Sequence, residues 1–329
     1  MRALRTLFLL VALAAVAAAG WLWWFAHHAW APREVPFEFT VEPRTAVKTL
    51  SHRLADQGLF PEGESFWIVA RVFGGGRPVV QAGTYRLEGP VTPLDLLDKM
   101  RRGDVVMLGL QFIEGTTLRQ WLAQLATEPR LKHTLKSDAD VRGALGITQA
   151  SAEGWLFPDT YHFAPGVTDA DVLKHAHTAM RKRLDEAWQS RDPELPLADP
   201  YQALILASVV EKETGAASER PLVASVFVNR LRRGMRLQTD PTVIYGMGEA
   251  YDGNIRKKDL TTDTPWNTYT RDGLPPTPIA MPGAEAVRAA VHPAKSDFLY
   301  FVARGDGTHE FTKSLEEHNR AVAKWQLHR

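Results

Sequence analysis

The stretch Leu204-Ile205-Leu206-Ala207-Ser208-Val209-Val210-Glu211-Lys212-Glu213-Thr214 places a carboxylate at the end of a helical run that is apolar on every side. A helix without a polar face is normally buried. An acid at its end is poorly solvated, and desolvation raises its pKa, which suits a general acid near neutral pH. The competing reading puts Glu211 at the start of an exposed last turn with Glu213, and the pattern alone leaves both open. Glu213 follows by two residues and so points about 200° away on a helix. Glu219, in the first turn of the next helix, is favoured there by the helix dipole and reads as structural. Asp240, before Pro241, reads as a cap. Ser208 lies inside the apolar helix without a Gly-x-Ser-x-Gly elbow, so it reads as packing or as a back-bond to the preceding turn. A glycosidase with two carboxylates needs them about 5–9.5 Å apart, a distance that sequence does not give. One acid of raised pKa without a nucleophile points to proton transfer to a leaving group, with attack by something the substrate provides.

Several elements must position this acid. The loop from Ser190 to Pro200 precedes a helix for which Asp199 is a good N-cap, Pro200 fits the first turn and Gln202 completes a capping box. The helix runs to about Thr214, Gly215 stops it, and Ser218 is expected to cap the next. Pro221 is acceptable in that helix's first turn, Val223, Val226, Phe227 and Leu231 give it an apolar stripe, and Gly234 is the natural C′ residue. Glu211 thus lies just before the corner of a helical hairpin, where a residue can be buried on one side and open to a cleft on the other. Downstream, Leu237 to Thr239 is extended and Asp240 is expected to cap a new helix. Asn267-Thr268-Tyr269-Thr270 reads as a polar-aromatic loop and Gly273-Leu274-Pro275-Pro276 as a rigid turn. Leu299–Val302 and Thr308–Phe311 read as strands before a terminal helix from about Leu315.

Upstream, three strand–turn–helix units follow one another, beginning at Phe39, Tyr85 and Phe112, with Thr45, Thr92 and Thr117 as helix N-caps. They predict a small α+β module over residues 37–110, the third unit opening the next domain. Gly74-Gly75-Gly76 lacks the Gly-Lys-Ser/Thr ending of a phosphate-binding loop and reads as a turn. His175 and His177 fall on different helix faces, which speaks against joint metal ligation.

The composition, 45% hydrophobic and 23% charged over 329 residues, is that of a globular chain with room for two domains. A net charge of +1 gives no argument for a nucleic-acid partner, and the lack of cysteine excludes disulfides and thiolate metal sites. Leu7 to Ala26 carries no charge and is about the 20 residues needed to cross a bilayer. Arg2 and Arg5 precede it, which leaves the N-terminus in the cytoplasm and the remaining chain outside. Trp21, Trp23, Trp24 and Phe25 close it as an aromatic belt. A cleaved signal peptide ending near Ala17-Ala18-Ala19 is the alternative, disfavoured because it would leave a tryptophan-rich apolar N-terminus. The expected organisation is residues 1–6 cytoplasmic, 7–26 a transmembrane anchor, 27–36 a linker, 37–110 the small module and 111–329 a larger α+β domain.

Leu206–Thr214, Ser218-Glu219-Arg220, Val223–Leu231 and Gly234–Gly246 together resemble the YceG-like endolytic murein transglycosylases. So do Asn267-Thr268-Tyr269, Gly273–Pro276, His292-Pro293-Ala294, Glu114-Gly115-x-Thr117 and Glu153–Tyr161. The resemblance implies a LysM-like first module and a catalytic domain facing the wall from the bacterial cytoplasmic membrane. It implies that Glu211, as the only catalytic acid, cleaves the MurNAc–GlcNAc β-1,4 bond within nascent glycan strands, then acts as base while the muramyl C6 hydroxyl closes a 1,6-anhydro ring. No cofactor and no metal is required. Gln238, Asn267 and Tyr269 are expected to hydrogen-bond or stack on sugar and Tyr245 to wall the cleft, although polar loops also satisfy their own backbone. Glu219 and Arg220 are expected to pair or to orient the hairpin. Partners implied are peptidoglycan strands and glycan-synthesising penicillin-binding proteins. The alternatives are a hydrolase using Asp240 or Glu219 as second carboxylate, and a glycan-binding scaffold without catalysis.

Overall fold

The computed structural model describes residues 2–75 and 80–327. The chain divides into two compact units, one reaching to Leu108 and taking in Phe163–Pro165, the other comprising Gly109–His162 and the chain from Gly166 onward.

The first unit contains α1 (Arg2–His27), β1 (Phe37–Val41), α2 (Val47–Asp56), α3 (Gly63–Phe73), β2 (Gly83–Leu87) and α4 (Pro93–Arg102). Its strands pair antiparallel, Phe39 opposite Tyr85 with their rings stacked at 5.4 Å. Leu50, Leu54, Phe66, Leu96 and Met100 close the core from the helices. Thr92 caps α4 by accepting the Asp95 N–H at 3.1 Å, and Gly103, at φ 67°, ends it in the left-handed region. At α2 the expected threonine cap is displaced: Ala46 holds the N-cap position and supplies no side-chain bond. Helix α3 is an addition to the sequence reading. Gly74 follows it, while Gly76 of the glycine triplet lies outside the described residues.

Helix α1 is long and apolar enough to cross a membrane. Its end departs from the expected belt. Trp21, Trp23 and Trp24 are exposed, but Phe25 is fully buried against Phe60 and Trp30. Trp30 pairs with Val91 through both backbone groups, so residues 27–36 are partly fastened to the module.

The second unit runs β3 (Leu108–Gln111), α5 (Leu118–Ala126), α6 (Asp138–Leu145), β4 (Thr160–Phe163), α7 (Asp169–Gln189), α8 (Pro200–Glu213), α9 (Arg220–Arg232), α10 (Asp240–Met247), α11 (Lys257–Thr261), α12 (Ala284–Val291), β5 (Tyr300–Ala303), β6 (His309–Thr312) and α13 (Leu315–Val322). β3 pairs with β4, and β5 pairs antiparallel with β6. Helix α8 is the centre. Every residue from Ala203 to Val210 is buried, with α7, α9, α10 and α12 packed around it, as a helix without a polar face requires. Asp199 accepts the Gln202 N–H at 2.9 Å, and Gln202 reaches back to the Ala198 N–H at 2.8 Å. Two expected caps move. Ser218 lies inside a one-turn 3₁₀ segment with Glu219 at the α9 N-cap, and Thr239 takes the α10 N-cap, leaving Asp240 in the first turn without a cap bond.

Candidate active site

Glu211 occupies the last turn of α8, where three segments converge on it. Ser208, one turn earlier, donates to the Ile205 carbonyl at 2.7 Å and accepts the Ile279 N–H at 3.0 Å, which pins the 277–283 segment along the helix. Met281 then pairs with the 115–116 turn, Gly115 N–H to the Met281 carbonyl and Met281 N–H to the Thr116 carbonyl, both at 2.8 Å. Two residues on, the Gly283 N–H donates to Glu211 Oε2 at 3.0 Å. From the start of α9, Arg220 Nη2 stands 3.6 Å from Glu211 Oε1. The Glu211 side chain retains 9% of its exposure, so one edge is open while the rest is enclosed. Of the two readings of the α8 terminus, the enclosed carboxylate is the observed one.

The corner after α8 depends on Gly215, where a Cβ would stand 2.7 Å from the Gly307 carbonyl oxygen. Lys212 Nζ donates to the Gly115 carbonyl at 3.1 Å, a second tie between the helix end and the 114–117 turn. That turn carries Glu114, which was not among the acids singled out above. Glu114 is an exposed residue, but its carboxyl lies against Gly283, and this partial desolvation pushes its pKa up from the ordinary range; the Glu211 charge adds to this, and Arg220 opposes it. The only sequence signal for it is the Glu-Gly-x-Thr turn ahead of α5.

The other expected residues gather elsewhere in the second unit. Gln238, Asp240, Tyr269 and Glu213 line one cavity of about 500 Å³ with Arg230 and His309. Glu213 is held by the Thr239 hydroxyl, and burial raises its pKa. Tyr269 donates to Asp240 Oδ1 at 2.6 Å, and burial and then that carboxylate raise the phenol's pKa. Gln238 has φ 50° and accepts from Arg230 Nη1 at 3.4 Å. Glu219 accepts three bonds from His309, two from its N–H at 3.1 Å and one involving Nδ1 at 2.8 Å, which fastens α9 to β6 rather than to Arg220. Both acids considered as a second carboxylate are therefore engaged in structural contacts, Asp240 with Tyr269 and Glu219 with His309.

Tyr245 donates to Glu153 Oε2 at 3.2 Å and, with Leu118 and Leu122, borders a cavity of about 740 Å³. Glu153 also accepts the Leu118 N–H through both oxygens, at 2.9 and 3.1 Å, and so caps the start of α5. Asn267 corrects an expectation. It is fully buried, its amide faces the carbonyls of Asp259, Leu260 and Thr262 at 2.7–3.2 Å, and its oxygen accepts the Tyr269 N–H at 2.8 Å. Every hydrogen-bonding group of that side chain is used inside the loop, which leaves none for a sugar.

Residues 39–324 match the model of the YceG-like family. The endolytic murein transglycosylase of Bacillus subtilis (strain 168) is 42% identical over 176 residues, 53% of this chain and 48% of the relative. That of Streptococcus pneumoniae serotype 2 is 28% identical over 281 residues, 74% of this chain and 50% of the relative. The chain spans about half the length of these curated relatives. A 2.6 Å crystal structure described as a YceG-like protein of Listeria monocytogenes superimposes with a TM-score of 0.54 at 29% identity, covering 86% of this chain and 98% of that one.

Proposed function

The chain belongs to the YceG-like family, and on that premise we propose that it is an endolytic murein transglycosylase with Glu211 as its catalytic acid. The observation that carries the reading is the enclosed Glu211 carboxylate at the end of α8, oriented by the Gly283 N–H and Arg220 with one edge open. Glu211 gives its proton to the glycosidic oxygen as the bond to the muramyl C1 breaks. The C6 hydroxyl of the same sugar adds to C1 and passes its proton to a carboxylate of the site, closing a 1,6-anhydro ring without water. A developing positive charge at C1 is favoured by nearby carboxylates.

Helix α1 holds the enzyme in the cytoplasmic membrane with the remaining chain on the periplasmic side. The β1–α2–α3–β2 order of the first unit supports the LysM-like assignment and a hold on glycan. Gln238 and Tyr269, which line one cavity, and Tyr245, which lines another, are the residues assigned in this reading to further sugars. Strands newly made by penicillin-binding proteins are the substrate that an endolytic enzyme so anchored would meet.

The test is mass spectrometry of products released from uncrosslinked glycan strands by the detergent-solubilised full chain. Anhydro-muramyl ends are expected, and Glu211→Gln is expected to slow their formation by roughly 10²–10⁴-fold, the range for losing a general acid. Reducing muramyl ends would overturn the transglycosylase reading in favour of a hydrolase. Binding of strands without cleavage would leave the scaffold reading.

A further inference from the structure

We propose that Glu114 is a second catalytic residue of this site, the base that takes the proton of the muramyl C6 hydroxyl as its oxygen bonds to C1. The inference rests on the transglycosylase reading and divides between two carboxylates the work that the family resemblance gives to Glu211 alone.

Three observations carry it. First, Gly283 joins the two acids. Its N–H is bonded to Glu211 Oε2, and the Glu114 carboxylate lies against its Cα where a Cβ would stand. The span of one residue plus these two contacts keeps the nearest carboxyl oxygens within about 7.5 Å, close enough for both to touch one sugar. Second, Glu114 is exposed, and the described residues offer it no hydrogen bond. Each other acid considered has a structural partner: Glu213 has Thr239, Glu219 has His309, Asp240 has Tyr269, and Glu153 has Leu118 and Tyr245. Third, the turn presenting Glu114 is fixed. Gly115 is at φ 73° and bonded to Met281, Thr116 donates to the Ile113 carbonyl at 2.5 Å, and Trp121 Nε1 donates to the Thr116 hydroxyl at 2.8 Å. The upward direction of the Glu114 pKa makes it a stronger base toward a hydroxyl.

The step balances. The C1–O bond breaks as Glu211 protonates the leaving oxygen, the C1–O6 bond forms, and the O6 proton passes to Glu114. Solvent then exchanges protons to restore the starting states.

The experiment follows anhydro-end formation from uncrosslinked glycan strands by the full chain in detergent, across pH 4.5–8, for wild type, Glu114→Gln and Glu211→Gln. Glu114→Gln should lower kcat by roughly 10²-fold or more and leave KM within about twofold. The low-pH limb on which wild-type kcat falls as Glu114 protonates should vanish in that variant. Because Glu114 is exposed and unbonded, the variant should melt within about 2 °C of wild type; Glu114→Ala is run beside it so that a folding defect in one leaves the other to decide. A kcat within about threefold of wild type, or an unchanged low-pH limb, would overturn the proposal. So would a change confined to KM. If wild type yields anhydro ends, Glu211→Gln is silent and Glu114→Gln is normal, this inference alone fails. If wild type yields no anhydro ends, the transglycosylase reading itself fails.

Discussion

Replacing Glu153 by glutamine should stabilise the protein at pH 8 and have little effect at pH 5. The side chain is 3% exposed, and burial pushes its pKa from 4.5 to about 8, the Leu118 N–H and the Tyr245 hydroxyl only partly opposing this. The folded protein therefore binds a proton more tightly than the unfolded chain. The stabilisation from that proton is fully present below pH 4.5, is lost as pH rises, and is gone above about pH 8. At about 1.4 kcal/mol per pH unit, the shift corresponds to a loss on the order of 5 kcal/mol between those limits. Glutamine keeps the shape and an acceptor for Leu118 but has no proton to lose. For a unit of this size, each kcal/mol moves the midpoint by roughly 2–4 °C, so the variant should melt about 10–20 °C above wild type at pH 8. The assay is thermal unfolding of the full chain in detergent at pH 5, 6, 7 and 8, followed by circular dichroism and tryptophan fluorescence. A gap between the two proteins that fails to widen with pH would refute the reasoning, as would a wild-type midpoint that rises over this range.

Two further substitutions separate catalysis from structure. Gly283→Ala puts a methyl group into the Glu114 carboxylate and disturbs the amide that orients Glu211; kcat should fall by roughly 10²-fold, the cost of misplacing reacting groups by about an ångström. Steady-state kinetics beside a melting curve checks this, and wild-type kcat would contradict it. Asn267→Ala strips the partner from three carbonyls in a buried loop, so stability should fall by about 2–4 kcal/mol in denaturant titration. Turnover per folded molecule should stay within about twofold, since none of the side chain's hydrogen bonds is free for sugar. Lost turnover at unchanged stability would return Asn267 to the glycan.

Local chemistry made much of the fold legible. Asp199-Pro200 starts α8 and Gly234 ends α9 because capping depends on a few adjacent residue types, and the burial of α8 follows from a face pattern with no polar side. Where neighbours have equivalent chemistry, the position was lost by one residue: Thr239 and Asp240 both suit an N-cap, and only the backbone angles choose. Helix α3 escaped notice because its N-cap residue, Glu62, makes no side-chain cap bond and so leaves no start signal. The candidate site divides along the same line. Glu211 can be read because the apolar run leading into it belongs to its own helix, although its partners Gly283 and Arg220 come from other elements. Glu114 cannot, because its environment comes from residues 97 and more positions away: an acid on α8, an arginine on α9 and a glycine before α12. What sequence does show is a glutamate on a glycine turn, and its meaning comes from Gly283, which has to lack a Cβ for the two carboxylates to lie on either side of one residue. The glycine and the glutamate are thus a single structural requirement, and any residue with a side chain at 283 should cost turnover through Glu114 even where Glu211 is intact.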